Sequence, residues 1–122
     1  MPKALTYEDI LSLDTASFLI HMQLYQIAIS TEIISSDGAK DASRTLGDLS
    51  NLYSDLSALL SAAKIQKRIK KREKEMALYE DLIDKEAIIE VTLKSLDLQY
   101  KALSKAISLY MENMKELYML QG

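Results

Sequence analysis

The sequence predicts an all-α protein of three long antiparallel helices, a bundle or coiled-coil hairpin, and three observations carry that prediction. Helix breakers are scarce: the 122 residues include three Gly and one Pro, against background usage of roughly 7% and 5%. Pro2 and Gly122 stand at the ends, so only Gly38 and Gly47 interrupt the interior. The chain is rich in Leu, Ala, Lys and Glu, which lose little side-chain freedom in a helix. Finally, Ile89, Leu93, Leu96, Tyr100, Leu103, Ile107, Tyr110, Met114 and Leu117 recur in alternating steps of four and three, the period of helices packed lengthwise.

The first helix is expected over 7–35. In the stretch LTYEDI, Thr6 can cap the first-turn amides, Glu8 and Asp9 suit the positive end of the helix dipole, and Leu5 and Ile10 occupy the two positions of a hydrophobic staple. A second start at Asp14 to Ser17 predicts a kink or break near residue 13. SSDGAKDAS, residues 35 to 43, is the one clear turn: Gly38 suits a left-handed helix end, and Asp41 or Ser43 can cap the next helix.

The second helix is expected over 42–82. Leu46, Leu49, Tyr53, Leu56, Leu60 and Ala63 form its seam, after which the frame slips to Ile65, Ile69, Met76, Tyr79 and Ile83, a stutter or a change of neighbour. The third helix is expected over 86–120, with a reversal near Asp84. The alternative is one rod over 42–120, about 115 Å long, needing a partner chain. The bundle is favoured, because so long an uninterrupted helix is rare in so small a protein. All of 1–122 then forms a single helical domain, of a size that buries a modest core. In that bundle the far end of the second helix and the start of the third project beyond the first as an arm.

Several function classes are excluded or weakened. The chain has no Cys, so disulfides, thiolate metal sites and a cysteine nucleophile are absent. His21 lies between Phe18 and Tyr25 on an apolar stripe, with no acid three or four residues away, so it reads as a core-edge histidine and not as a bundle metal ligand. No G-x-S-x-G elbow, phosphate loop or dinucleotide fingerprint occurs. The acids at 80 to 86 lack the glycine and oxygen spacing of a calcium loop. No catalytic, cofactor or metal residue is therefore assigned, and a non-enzymatic protein is expected. The longest uncharged stretch, 15–31, is short and polar, so no membrane span is expected and the location is expected to be cytoplasmic.

Two surfaces remain as candidate partner sites. On the third helix, Ile88, Val91, Leu98 and Ala102 trace an apolar stripe apart from the main seam. An amphipathic helix needs only one such stripe for one neighbour. The other is the basic run KIQKRIKKREK, residues 64–74, with seven Lys and Arg and one acid. The rest of the chain carries eight basic and seventeen acidic residues. The run reads first as the solvated face of a helix. Beyond that, Lys67, Arg68, Lys71 and Arg72 could meet an acidic protein surface, or, in the alternative reading, the phosphates of a nucleic acid. The surrounding negative charge and the lack of interleaved aromatics count against the latter. Acids at Glu75, Glu80, Asp81, Asp84 and Glu86 come after the run, so two copies could pair antiparallel about Met76. The expected function is a helical protein-protein interaction module (an assembly or secretion chaperone, scaffold, adaptor, or viral or phage docking protein). It is expected to self-associate as a homodimer or higher homo-oligomer.

Overall fold

Local chemistry at the N-terminus makes two short helices where one long one was expected. The computed structural model describes residues 5–25, 27 and 29–121. Helix α1 spans Tyr7–Ser12 and α2 spans Thr15–Gln23. Thr6 caps α1 in a reciprocal box: its hydroxyl accepts from the Asp9 amide, and the Asp9 carboxylate accepts from the Thr6 amide at 2.7 Å. Leu13 takes extended backbone, and the Asp14 carboxylate accepts from the Ser17 amide at 2.7 Å, starting α2 afresh. The break at residue 13 is as the sequence predicts.

After α2 the chain departs from expectation. Of the helix expected over 7–35, positions 26 and 28 lie outside the described residues, and the described residues from 24 to 35 are not helical. Ile27, Ile29, Thr31, Ile33 and Ile34 are β-branched and crowd the preceding turn of a helix. The Ser30 hydroxyl takes the Glu32 amide for itself, as serine does when it competes with helical bonding. Ile27, Ile29 and Ile33 pack against the core while Ile34 stays 89% exposed. The segment is a strap drawn along the molecule, and its Ile27 carbonyl accepts from Gln99 Nε2 at 3.0 Å.

Helix α3 spans Ser36–Arg72, beginning six residues before its expected start. Ser35 caps it by accepting from the Gly38 amide at 3.0 Å. Gly38 is thus the third residue of the helix and not a left-handed terminator, since no described glycine has positive φ. A Cβ there would stand 3.3 Å from Ser35 Oγ, so the missing side chain lets the capping hydroxyl lie close.

Helix α4 spans Met76–Gln121 and runs back against α3 as a long hairpin. The reversal lies at residues 73–75, ahead of the expected position near Asp84. The Glu75 amide donates to the Lys70 carbonyl and the Lys74 amide to that of Lys71, the paired bonds of a Schellman ending. Lys74 supplies the left-handed residue, with φ 60°, where glycine is usual. Lys70, Lys71 and Arg72 fill the last turn of α3, where cations suit the negative end of the helix dipole. Lysine in the left-handed region costs on the order of 1–2 kcal/mol, partly offset in glycine by greater unfolded-state freedom. Lys74→Gly is therefore expected to stabilise the protein by about 0.5–1 kcal/mol, raising the melting temperature by roughly 2–5 °C. An unchanged or lower melting temperature would mean that the turn carries no strain.

The reversal accounts for Met76, Tyr79 and Ile83 in the slipped frame but not for Ile65 and Ile69. Those two lie in α3, where the buried positions run on through Leu59, Ala63 and Gln66 and leave Ile65 exposed. Met76, Tyr79 and Ile83 belong to a new helix, whose seam starts at Leu82 and continues through Ile89, Leu96 and Leu103 at intervals of seven, all buried. Leu49, Leu52, Leu56, Leu59 and Ala63 of α3 complete this core with Phe18, Met22 and Ile10 from the N-terminal helices. Tyr53 and Tyr100, expected on the seams, are exposed at the edge of the hairpin. The expected arm is not what projects, because α1 and α2 pack near the turn. The overhang lies at the other end, where the first turns of α3 meet Ile107, Tyr110 and Met111 and residues 111–120 of α4 are all exposed.

Candidate docking surfaces

The apolar stripe on α4 is brought together in part. Val91 and Leu98, seven residues apart on one face, are 70% and 65% exposed, and Ala102 is exposed one turn on. Ile88 differs: it is half-buried and packs against the core, lining a shallow groove with Leu19 and Met22 of α2. Its apolar demand is met by the N-terminal helices, whereas that of Val91 and Leu98 is not.

The basic run meets acids from its own chain. Lys67 Nζ lies 2.6 Å from a Glu86 carboxylate oxygen, and Lys70 Nζ lies 3.5 Å from both Glu73 and Glu75. Burial alone would depress the Lys70 pKa, but the charges and hydrogen bonds of the two glutamates outweigh it and hold the group above its ordinary value. Lys71 Nζ sits 5.9 Å from the centre of the Tyr79 ring, within cation–π range. The antiparallel apposition expected between two copies about Met76 is made inside one chain by the turn at 73–75. Arg68 and Arg72 remain exposed on the outer side of α3.

One buried ionic cluster was not legible as a site. Lys85 is fully buried. Its ammonium lies 2.7 Å from an Asp81 carboxylate oxygen, donates to the carbonyls of Ile10 and Leu13 at the end of α1, and stands 5.9 Å from the Phe18 ring centre. The other Asp81 oxygen accepts from the Thr15 hydroxyl. Ser17, by hydrogen bonds to the Asp14 carboxylate, holds that group below the ordinary range, with a smaller contribution from the charge of Lys85. The cluster therefore fastens the break between α1 and α2 to α4. Gln99, fourteen residues beyond Lys85 on the same face, fastens the strap. The signal was present as polar residues at a heptad spacing, but a polar residue on a helix is ordinarily a solvated one.

His21 stands half-buried in the last turn of α2. Among the described residues no group of three or more His, Asp or Glu is placed to hold a metal ion, and no helix is long and apolar enough to cross a membrane.

The third surface is the overhang. Met111, Met114, Leu117, Tyr118, Met119 and Leu120 are all exposed, Tyr118 and Leu120 by 80% and 84%. Methionines and Tyr118 there make an adaptable, largely apolar surface, and Glu112 and Lys115 line the same shallow groove as Met111, Met114, Tyr118 and Met119. No protein-family model, curated protein or solved structure matches this chain.

Proposed function

We propose that this chain is a non-catalytic, cytoplasmic protein-binding module, a helical hairpin that presents the outer face of α4 to partner proteins and self-associates. The observation that carries the reading is the exposure of Val91 and Leu98 at 70% and 65% on one face of α4, away from the face packed against α3. Large exposed apolar side chains aligned on one helix face favour association with an apolar groove or a second helix. The alternative, phosphate binding by the basic run, is weakened by the commitment of Lys67 to Glu86 and of Lys70 to Glu73 and Glu75.

A photo-crosslinking residue in place of Leu98, with the chain expressed in its native host, tests the reading. Protein adducts are expected, and Val91→Asp should reduce their yield at least about tenfold while leaving the melting temperature within a few degrees, because the side chain is exposed. Adducts with nucleic acid would favour the alternative instead, and an absence of any adduct would sink the docking face.

A further inference from the structure

Two tyrosines stand where the sequence places the helical seams, and the long hairpin leaves a recess between them. Tyr53 of α3 and Tyr100 of α4 are 42% and 41% exposed. With Ser50 and Asp97 they surround a pocket of about 160 Å³, floored by the buried Leu49 and Leu96. A cavity of roughly 150 Å³ takes one benzene, so this one has room for a single compact head group.

We infer that the recess binds a methylated ammonium group, recognised by the rings of Tyr53 and Tyr100 and by the Asp97 carboxylate. The site goes beyond the reading of α4 as a docking face and does not depend on it. Three features select that chemistry. The first is electrostatic: an aromatic ring presents a negative face to a cation, and here two rings share one pocket with a carboxylate. The second is the apolar floor, which suits methyl groups and rejects a primary ammonium, because the latter is strongly hydrated. The third is that a cation already stands at the rim. Lys101 Nζ lies 2.8 Å from an Asp97 carboxylate oxygen. The hydrogen bond and charge of Asp97 hold the Lys101 pKa above its ordinary value, and Tyr53 adds a smaller electrostatic contribution. Both members of that pair are exposed, and such pairs contribute little. An incoming cation that also gains the rings and the floor therefore displaces Lys101 from the carboxylate. Glu90 and Lys94, in the groove that continues from Asp97 towards Val91, carry opposite charges and leave the balance of the site unchanged. Methylated ammonium occurs as the head of small molecules such as choline and as trimethyllysine in proteins, and the recess recognises what the two share.

The test follows the tyrosine ring resonances of the full chain by NMR during titration with choline at constant ionic strength. Saturable shifts are expected at Tyr53 and Tyr100 and not at Tyr25, which is buried away from solvent. The uncharged isostere of choline, with carbon in place of nitrogen, should bind at least about threefold more weakly. Tyr100→Leu should weaken choline binding roughly three- to thirtyfold with unchanged circular dichroism. Lys101→Met should strengthen it roughly two- to fivefold, because the internal competitor for Asp97 is gone. Tyrosines that merely edge the core predict no such gain. A tripeptide carrying trimethyllysine is titrated in parallel. Tighter binding than choline assigns the head group to a protein chain and weaker binding to a free small molecule, and either supports the recess. No saturable shift with either probe, equal binding of the isostere, or a Tyr100→Leu chain that binds as well as the original overturns the inference.

Discussion

Replacing Lys85 with Met is expected to destabilise the protein by about 3 kcal/mol and to release α1 and α2 from a hairpin that stays folded. Methionine preserves most of the volume, so the effect isolates the charge. Without the ammonium, the carbonyls of Ile10 and Leu13 lose their donor, at a cost of about 1 kcal/mol each. Asp81 loses its cation, and because that carboxylate is partly exposed, water screens part of the penalty that a fully buried charge would carry. These losses fall on the junction between the two short helices, which are six and nine residues long and too short to persist unaided. Amide hydrogen exchange read segment by segment is the measurement. Protection should fall across residues 8–23 and persist across 49–63. Retained protection in α1 and α2, with a stability change under about 1 kcal/mol, would mean that the buried cluster is incidental and that Phe18, Met22 and Ile10 hold the segment by packing alone.

Leu56→Ala is expected to act globally, lowering stability by about 2–5 kcal/mol. Leu56 is fully buried near the middle of α3, between Leu52 and Leu59, and the long pairing of α3 with α4 offers no other layer to take its place. The loss combines the transfer free energy of the missing methyl groups with the cavity they leave. In a protein of ordinary stability that is a large fraction of the whole. Urea unfolding should show a lowered midpoint with one cooperative transition and a similar slope, in contrast to the segmental loss expected of Lys85→Met. A shift below about 1 kcal/mol would mean that the hairpin seam has room to collapse around the smaller side chain.

Some elements were legible because their causes are local. Thr6 and Asp14 each sit a few residues ahead of an apolar turn, and each caps a helix through atoms of its own segment. The seam from Ile89 to Leu103 was legible because a period of seven survives whatever the partner is. The reversal at 73–75 was not: left-handed backbone at Lys74 carries no glycine, and the basic run looked like a continuing wet face. The strap was hidden for a related reason, since an apolar stretch with scattered hydroxyls also suits a helix. Its β-branched spacing at 27, 29 and 33 gains meaning only when the core is in place to receive those side chains and Gln99 of α4 to hold the Ile27 carbonyl. Among the candidate site residues, Val91, Leu98 and Ala102 stand exposed, Ile88 is half-covered by α2, and Lys67 is tied to Glu86.

By itself the amino-acid sequence determined that this chain is helical, where its first caps and first break fall, and that Ile89, Leu93, Leu96 and Leu103 share one buried seam, because capping and periodicity act over one or two turns. Only the tertiary structure decided where α3 reverses, which face of α4 receives the N-terminal segment, and that Lys85 is buried while Met114 and Leu117 are not. A helix offers the same residues to every direction around its axis. Which of them lose contact with water depends on neighbours dozens of residues away, whose positions no local rule contains.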